Sequence, residues 1–196
     1  MTETDTAQKA IDAVLRGSLA FCKFLSSNDT GKTGGHQSGI YIPKTSVAII
    51  FDEQGKKGAN KDRWAKIEWQ GKEFTTDVRF IYYGRGTRNE YRITNFGRGF
   101  PFLRPEYTGA LFVLVKESRD DYEGYVLNSG RETQQFLDFF SLTSAQTNKL
   151  IRAGGDRGNL CSETKLNRLI DKLEDETLSL EEIVSENQLS RGTGRK

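Results

Sequence analysis

Arg88, Glu90 and Arg92 occupy alternate positions in YYGRGTRNEYRITNFGRGFPFLRPEYTGALFVLV, residues 82–115. On a strand, alternate residues share a face. Arg88, Glu90, Arg92 and Thr94 then line one side, and Tyr91 and Ile93 point to the other. An arginine fork matches O6 and N7 of guanine, and a carboxylate accepts from N4 of cytosine. The ladder therefore has the chemistry to read G:C pairs in a major groove. The competing reading is a surface strand whose glutamate pairs with its flanking arginines, a contribution of about 0–1 kcal/mol. Spacing alone leaves the two even.

A second stretch tips that balance. SSNDTGKTGGHQSGIYIP, residues 26–43, offers Asn28, Asp29, Thr30, Lys32, Thr33, His36, Gln37 and Tyr41 on a glycine-rich arm. These are short donors and acceptors on a backbone that can approach a ligand closely. GKT at 31–33 imitates the end of a phosphate-binding P-loop, but Ser26 stands where the first glycine of that motif belongs. Gly34, Gly35, Gly39 and Pro43 would break the helix that must follow. Without that helix no terminal dipole holds a pyrophosphate, so nucleotide hydrolysis is rejected. Backbone N–H groups and Lys32 remain able to touch the phosphates of a larger ligand.

The charge distribution agrees. The chain of 196 residues carries a formal +2, yet residues 79–104 hold six arginines against Glu90 alone. Residues 56–66 hold five basic residues against Asp62, which leaves a net −7 for the rest. Residues 171–186 contribute seven acids against Lys172. Segregation of this kind describes partners rather than fold, and an all-arginine block suits phosphate and guanine better than mere solubility does.

Elements must position these groups. Residues 4–16 predict an amphipathic helix. Strands are predicted over 18–25, 39–43, 64–69, 72–84, 88–96, 109–118 and 122–128, about seven in all, separated by glycine, asparagine or charged turns. KTSVAIIFDEQ, from residue 44, fits a short helix or a strand equally. Helices are predicted over 132–140, 144–155, 162–176 and 179–187, the last opened by a Ser179–Glu182 capping box. The expected class is mainly β with flanking helices (α+β), an open sheet or barrel. Residues 1–158 form the expected β domain and 159–196 an acidic helical extension and linker. No run approaches the ~20 apolar residues of a membrane span. The N-terminus lacks a secretory signal. Cys22 and Cys161, without C-x-x-C spacing and with a single histidine in the chain, predict a reduced cytoplasmic protein and argue against a zinc site.

Two other functions stay open on residues alone. A self-contained Mg²⁺-dependent nuclease needs a carboxylate cluster by the basic face, and only weak look-alikes occur, at Asp156, Glu163 and Lys165. A single-strand binder would use Tyr82, Tyr83, Tyr91 and Phe96 as stacking platforms.

LSSNDTGKTGGHQSGIYIP and GTRNEYRITNFGRGFPFLRPEYTGAL together resemble the N-terminal effector domain of EcoRII-type restriction endonucleases, over roughly residues 21–114. The resemblance implies a plant B-three-like open pseudobarrel that clamps double-stranded DNA between two arms, 28–41 and 85–98. It implies 5′-CCWGG (W is A or T) as target. It implies Asn28, Asp29, Lys32, Thr33, His36, Gln37, Tyr41, Arg85, Arg88, Asn89, Glu90, Arg92 and Arg98 as residues that read bases, fix the readers or hold the backbone. It implies no catalysis by this chain and no cofactor for binding. Mg²⁺ would serve only a separate C-terminal nuclease domain of a bacterial, cytoplasmic enzyme.

Overall fold

Period-two burial of large side chains builds most of this protein. The computed structural model describes residues 5–34 and 39–152. Helix α1 (Thr6–Arg16) is followed by β1 (Leu19–Phe24), β2 (Ile40–Ile42), a 3-10 helix (Lys44–Ile49), β3 (Lys61–Trp69), β4 (Phe74–Tyr83), β5 (Glu90–Thr94), β6 (Leu111–Lys116), β7 (Asp121–Leu127), α2 (Gly130–Phe139) and β8 (Lys149–Ile151). The eight described strands form one sheet in the order β2-β5-β4-β3-β7-β6-β1-β8. Neighbours are antiparallel except β3 and β7, which run parallel from Lys66↔Asp121 to Trp69↔Gly124.

The sheet curls. Phe21, Ile42, Ile67, Phe80, Ile93, Phe112 and Val126 come from seven different strands, yet they belong to one buried cluster. A flat sheet of that width could not bring them together. Val47 and Ile49 of the 3-10 helix join the same cluster, and that helix contacts β1 and β8 on one side and β5 on the other. It spans the opening of a half-barrel whose edge strands, β2 and β8, each pair with a single neighbour among the described residues. Burial of this apolar surface, at roughly 25 cal/mol per Å², is the main source of stability.

The outer face is divided. Over β1, β6, β7 and β8 it is apolar and packs Cys22, Val113, Val115, Tyr125 and Leu127 against Ile11 and Val14 of α1 and Phe136 of α2. Asp5 caps α1, its side chain accepting from the Ala7 N–H at 3.2 Å. Strands β2, β5, β4 and β3 contribute nothing to that cluster. Their outer face is mostly polar, and the candidate site lies there.

Most elements match the sequence reading, with three differences. The described strands number eight, and the stretch from residue 44 resolves as a 3-10 helix. The helix expected over 144–155 does not form over its described part, 144–152. Residues 144–146 make a 3-10 turn opened by a Thr143–Gln146 capping box. Asn148 adopts φ 65°, and Lys149–Ile151 pair with β1 as strand β8. The free edge of β1 accepts the chain, beginning with the Asn148 N–H to the Cys22 carbonyl at 2.7 Å. Tertiary pairing here overrides helical periodicity. The boundary at 158, the helices expected after 162 and Cys161 lie outside the described residues.

Candidate nucleic-acid interface

Register places the ladder as its spacing requires. On the outer face Tyr41 of β2 stands opposite Arg92 of β5, Arg92 opposite Ile81 of β4, and Ile81 opposite Asp62 of β3. Glu90 stands opposite Tyr83, and Thr94 opposite Arg79. Tyr91 and Ile93 point into the inner cluster. Arg92, however, is 96% buried. Its Nη1 donates to the Gly39 carbonyl at 3.2 Å and its Nη2 to Glu90 Oε2 at 3.4 Å. Arg92 thus ties the foot of one loop to the carboxylate at the head of the other. Gly39 (φ +123°) makes this possible, because a Cβ there would lie 2.4 Å from the Ile93 carbonyl oxygen.

Loop 84–89 enters β5 at Glu90 and exposes Arg85, Arg88 and Asn89. The Arg88 guanidinium lies over the Tyr83 ring, 5.1 Å from its centroid, and Asn89 Oδ1 accepts from the Tyr82 hydroxyl at 2.9 Å. The segment before β3 underpins this loop. Lys57 Nζ donates to the carbonyls of Gly86, at 2.8 Å, and of Arg88. Asn60 Oδ1 accepts from the Gly84 and Arg85 N–H groups at 3.0 and 3.2 Å. Gly84 packs so closely that a Cβ would lie 2.2 Å from the Ala59 carbonyl oxygen.

Residues 26–34 form turns that follow β1. They lead to Gly39 and Ile40, and Ile40 pairs with Ile93. Asp29 is their anchor and is 2% exposed. Its Oδ2 accepts from Lys23 Nζ at 2.7 Å, the Ser26 N–H at 2.8 Å and Ser26 Oγ at 2.6 Å, while Oδ1 accepts from the Tyr41 N–H at 2.8 Å. Burial alone would push this carboxyl up. The Lys23 charge and these donors outweigh it and hold Asp29 below the ordinary carboxylate range. Thr30 Oγ1 meets Thr108 Oγ1 at 2.7 Å. Lys32 and Thr33 remain exposed, and Asn28 and Tyr41 are half-buried. The chain passes to a strand rather than a helix after this loop, which matches the rejection of a nucleotide-binding P-loop.

A third loop leaves β5 at Thr94. Phe96, Phe100 and Phe102 pack against Trp69, with Phe100 at 4.7 Å between centroids. They hold the tip Gly97-Arg98-Gly99 at the surface, where Arg98 is exposed.

The fold therefore sets Tyr41, Glu90 and Arg92 on the outer face of β2 and β5, with Asn28, Lys32, Thr33, Arg85, Arg88, Asn89 and Arg98 on the three loops that adjoin these strands. Asp29 is placed inside, as an anchor rather than a surface group. His36 and Gln37 lie outside the described residues. The sequence reading missed Lys23, Lys57 and Asn60. Lys23 carried a signal, a lone charge inside the apolar strand LAFCKF that demands a buried partner. Lys57 and Asn60 carried none beyond membership of a basic turn. Tyr82, Tyr91 and Phe96 are at most 7% exposed, so they are core and not stacking platforms. Among the described residues no group of three or more His, Cys, Asp or Glu side chains stands where it could hold a metal ion. No helix among them is long and apolar enough to cross a membrane.

A family model and a curated relative point to one family. The family described as the N-terminal part of restriction endonuclease EcoRII matches residues 15–149. The type II restriction enzyme EcoRII of Escherichia coli is 36% identical over 103 residues, which are 50% of this chain and 26% of that enzyme. The match thus spans about a quarter of the relative's length. Among solved structures, the B3 domain of the UbaLAI restriction endonuclease, determined with cognate DNA, is similar at 20% identity and a TM-score of 0.49, over 74% of this chain and 94% of that one.

Proposed function

Since the chain belongs to the EcoRII N-terminal family, matched over residues 15–149, we propose that it is a sequence-specific double-stranded DNA-binding domain of a type II restriction endonuclease. Its target is 5′-CCWGG. The observation that carries this reading is the placement of the two loops. The 26–34 turns lead to Gly39 and Ile40, which join the sheet beside one end of β5, and loop 84–89 lies at the other. Four residue steps separate Glu90 from Thr94, about 13 Å at strand rise. That is on the scale of a major groove about 12 Å wide. Between the loops lie Tyr41, Arg92 and Glu90, with Arg88 exposed at the edge.

In this reading Arg88 and Glu90 meet base edges, and Arg92 fixes Glu90 and the foot of the first loop. Asn89 and Tyr41 add polar contacts, as do His36 and Gln37. Lys32, Thr33, Arg85 and Arg98 meet phosphates, with Asn28 beside them. Residues 1–158 make the binding domain, and 159–196 lead toward a nuclease domain of the same polypeptide. Support for that partner is that the relative is about four times longer than the matched segment. Catalysis and its Mg²⁺ requirement belong to that domain, and the enzyme works in the bacterial cytoplasm.

The test is a gel-shift against two short duplexes at moderate salt with excess competitor, one holding CCWGG and one with a single C:G pair changed. Binding confined to the first establishes class and target. Equal binding to both removes the target, and stronger binding to a single strand removes the class.

A further inference from the structure

We propose that Lys57 and Asn60 are positioning residues for target discrimination, acting from the neighbouring 55–60 turn on the loop that presents Arg85, Arg88 and Asn89. The inference rests on the DNA-binding reading and deepens it. Lys57 belongs to a basic turn, and such a lysine is ordinarily read as a phosphate contact. Its ammonium is otherwise engaged, because it donates to the carbonyls of Gly86 and Arg88. Asn60 approaches the same loop from its other leg, where one side-chain oxygen accepts the Gly84 and Arg85 N–H groups. The Gly58 N–H adds a bond to the Gly84 carbonyl at 2.8 Å. Four backbone groups of a six-residue loop are thereby satisfied by two side chains, and a fifth by backbone.

The loop needs this support. Gly86 sits at φ +62° with open space around it, so packing does not hold the tip. Strand pairing ends at Tyr83↔Glu90. The 55–60 turn is itself fixed, since the Gly55 N–H donates to the Tyr91 hydroxyl at 2.8 Å and Tyr91 is buried beside Tyr82, 4.6 Å between ring centroids. A rigid path thus runs from the core through residues 55–60 to the backbone of Arg88. Bidentate recognition of guanine depends on donor geometry, and a donor on an unbraced loop meets right and wrong bases with similar ease.

The experiment compares wild type, Lys57→Met, Lys57→Arg and Asn60→Leu on the CCWGG duplex and the duplex with one changed pair, across a salt series. Amide hydrogen exchange of residues 85–89 is measured without DNA. Positioning roles require faster exchange in that loop in Lys57→Met and Asn60→Leu. The discrimination ratio should fall about tenfold in both, the scale of one guanine contact, and Lys57→Arg should recover part of it. The salt slope should stay at its wild-type value, because Lys57 neutralises no phosphate. A slope smaller by about one, with equal weakening on both duplexes, would make Lys57 a phosphate contact and overturn the proposal. Unchanged exchange would overturn it as well. Wild type without discrimination would instead refute the DNA target and leave the exchange result to judge the bracing.

Discussion

Lys23 and Asp29 form an ion pair 2.7 Å long whose members are 6% and 2% exposed, and it joins strand β1 to the loop that leads into β2. Asp29 accepts three further hydrogen bonds, two from Ser26 and one from the Tyr41 N–H. Breaking a buried pair from one side leaves an uncompensated charge and costs about 3–5 kcal/mol. Asp29→Ala should therefore lower the urea midpoint strongly. The double variant Lys23→Met with Asp29→Leu should not recover wild-type stability, although removing both charges of an isolated pair often does. The partly buried Ser26 and Tyr41 N–H groups would still lose their acceptor. Full recovery in the double variant would show that these extra bonds are unimportant.

The same pair sets a pH dependence. Asp29 is held below its ordinary value of 3.8 in the folded protein. The unfolded chain therefore takes up the proton first as pH falls. The contribution is fully present above the ordinary value and is lost as pH drops through the lower, folded value. Urea midpoints measured from pH 7 down to pH 2 should fall below about pH 4, and the drop should be smaller in Asp29→Asn, which has no carboxyl to protonate there. Parallel curves for the two proteins would assign the acid sensitivity to other groups.

Much of this arrangement was legible in the sequence because it rests on local alternation. Tyr91 and Ile93 had to face away from Glu90 and Arg92 on any strand, and β5 shows that. Pairings between distant segments left less trace. KLI at 149–151 becomes a strand only because β1 has a free edge for it, and its helical periodicity concealed that. Asp29 looked like a surface group of a polar loop, since its partner lies six residues away across a turn. Arg92 was placed on the correct face, but its burial follows from Gly39 approaching β5, a fact of register rather than composition. Lys57 and Asn60 act on a loop more than 20 residues later, which no spacing rule connects.

Arg88 and Arg92 should separate in their effects. Arg88 is exposed and rests on Tyr83, so Arg88→Ala should leave the melting temperature near wild type. It should cost about 1–3 kcal/mol on the CCWGG duplex and relax discrimination at one base pair. Arg92 is buried and bonds Gly39 and Glu90. Arg92→Ala should lower the melting temperature as well as the affinity, since it releases the foot of one loop and an acid together. Dissociation constants on both duplexes, with thermal melts of both variants, check this. Equal melting temperatures for the two variants would contradict the structural role of Arg92.

Lys32, Arg85 and Arg98 sit exposed on three different loops. If each neutralises one phosphate, removing any of them should lower the slope of log affinity against log salt by about one, because each phosphate contact contributes about 0.9 to that slope. The loss should be the same on the CCWGG duplex and on the changed one. A variant whose loss falls only on CCWGG would mark that residue as a base reader instead.

Cys22 offers a test of the half-barrel itself. It lies on β1 between β6 and β8, paired with Val113 on one side and Lys149 on the other, and its side chain is buried under the helices. Burial pushes the thiol up to about 12, so at pH 8 it is protonated as well as inaccessible, and the thiolate is the reactive form. In a Cys161→Ser variant, labelling by a thiol reagent should be negligible in native buffer and should follow global unfolding as urea is raised. Rapid labelling without denaturant would mean that β8 and the helices leave β1 readily, and that the curled sheet is not closed on that side.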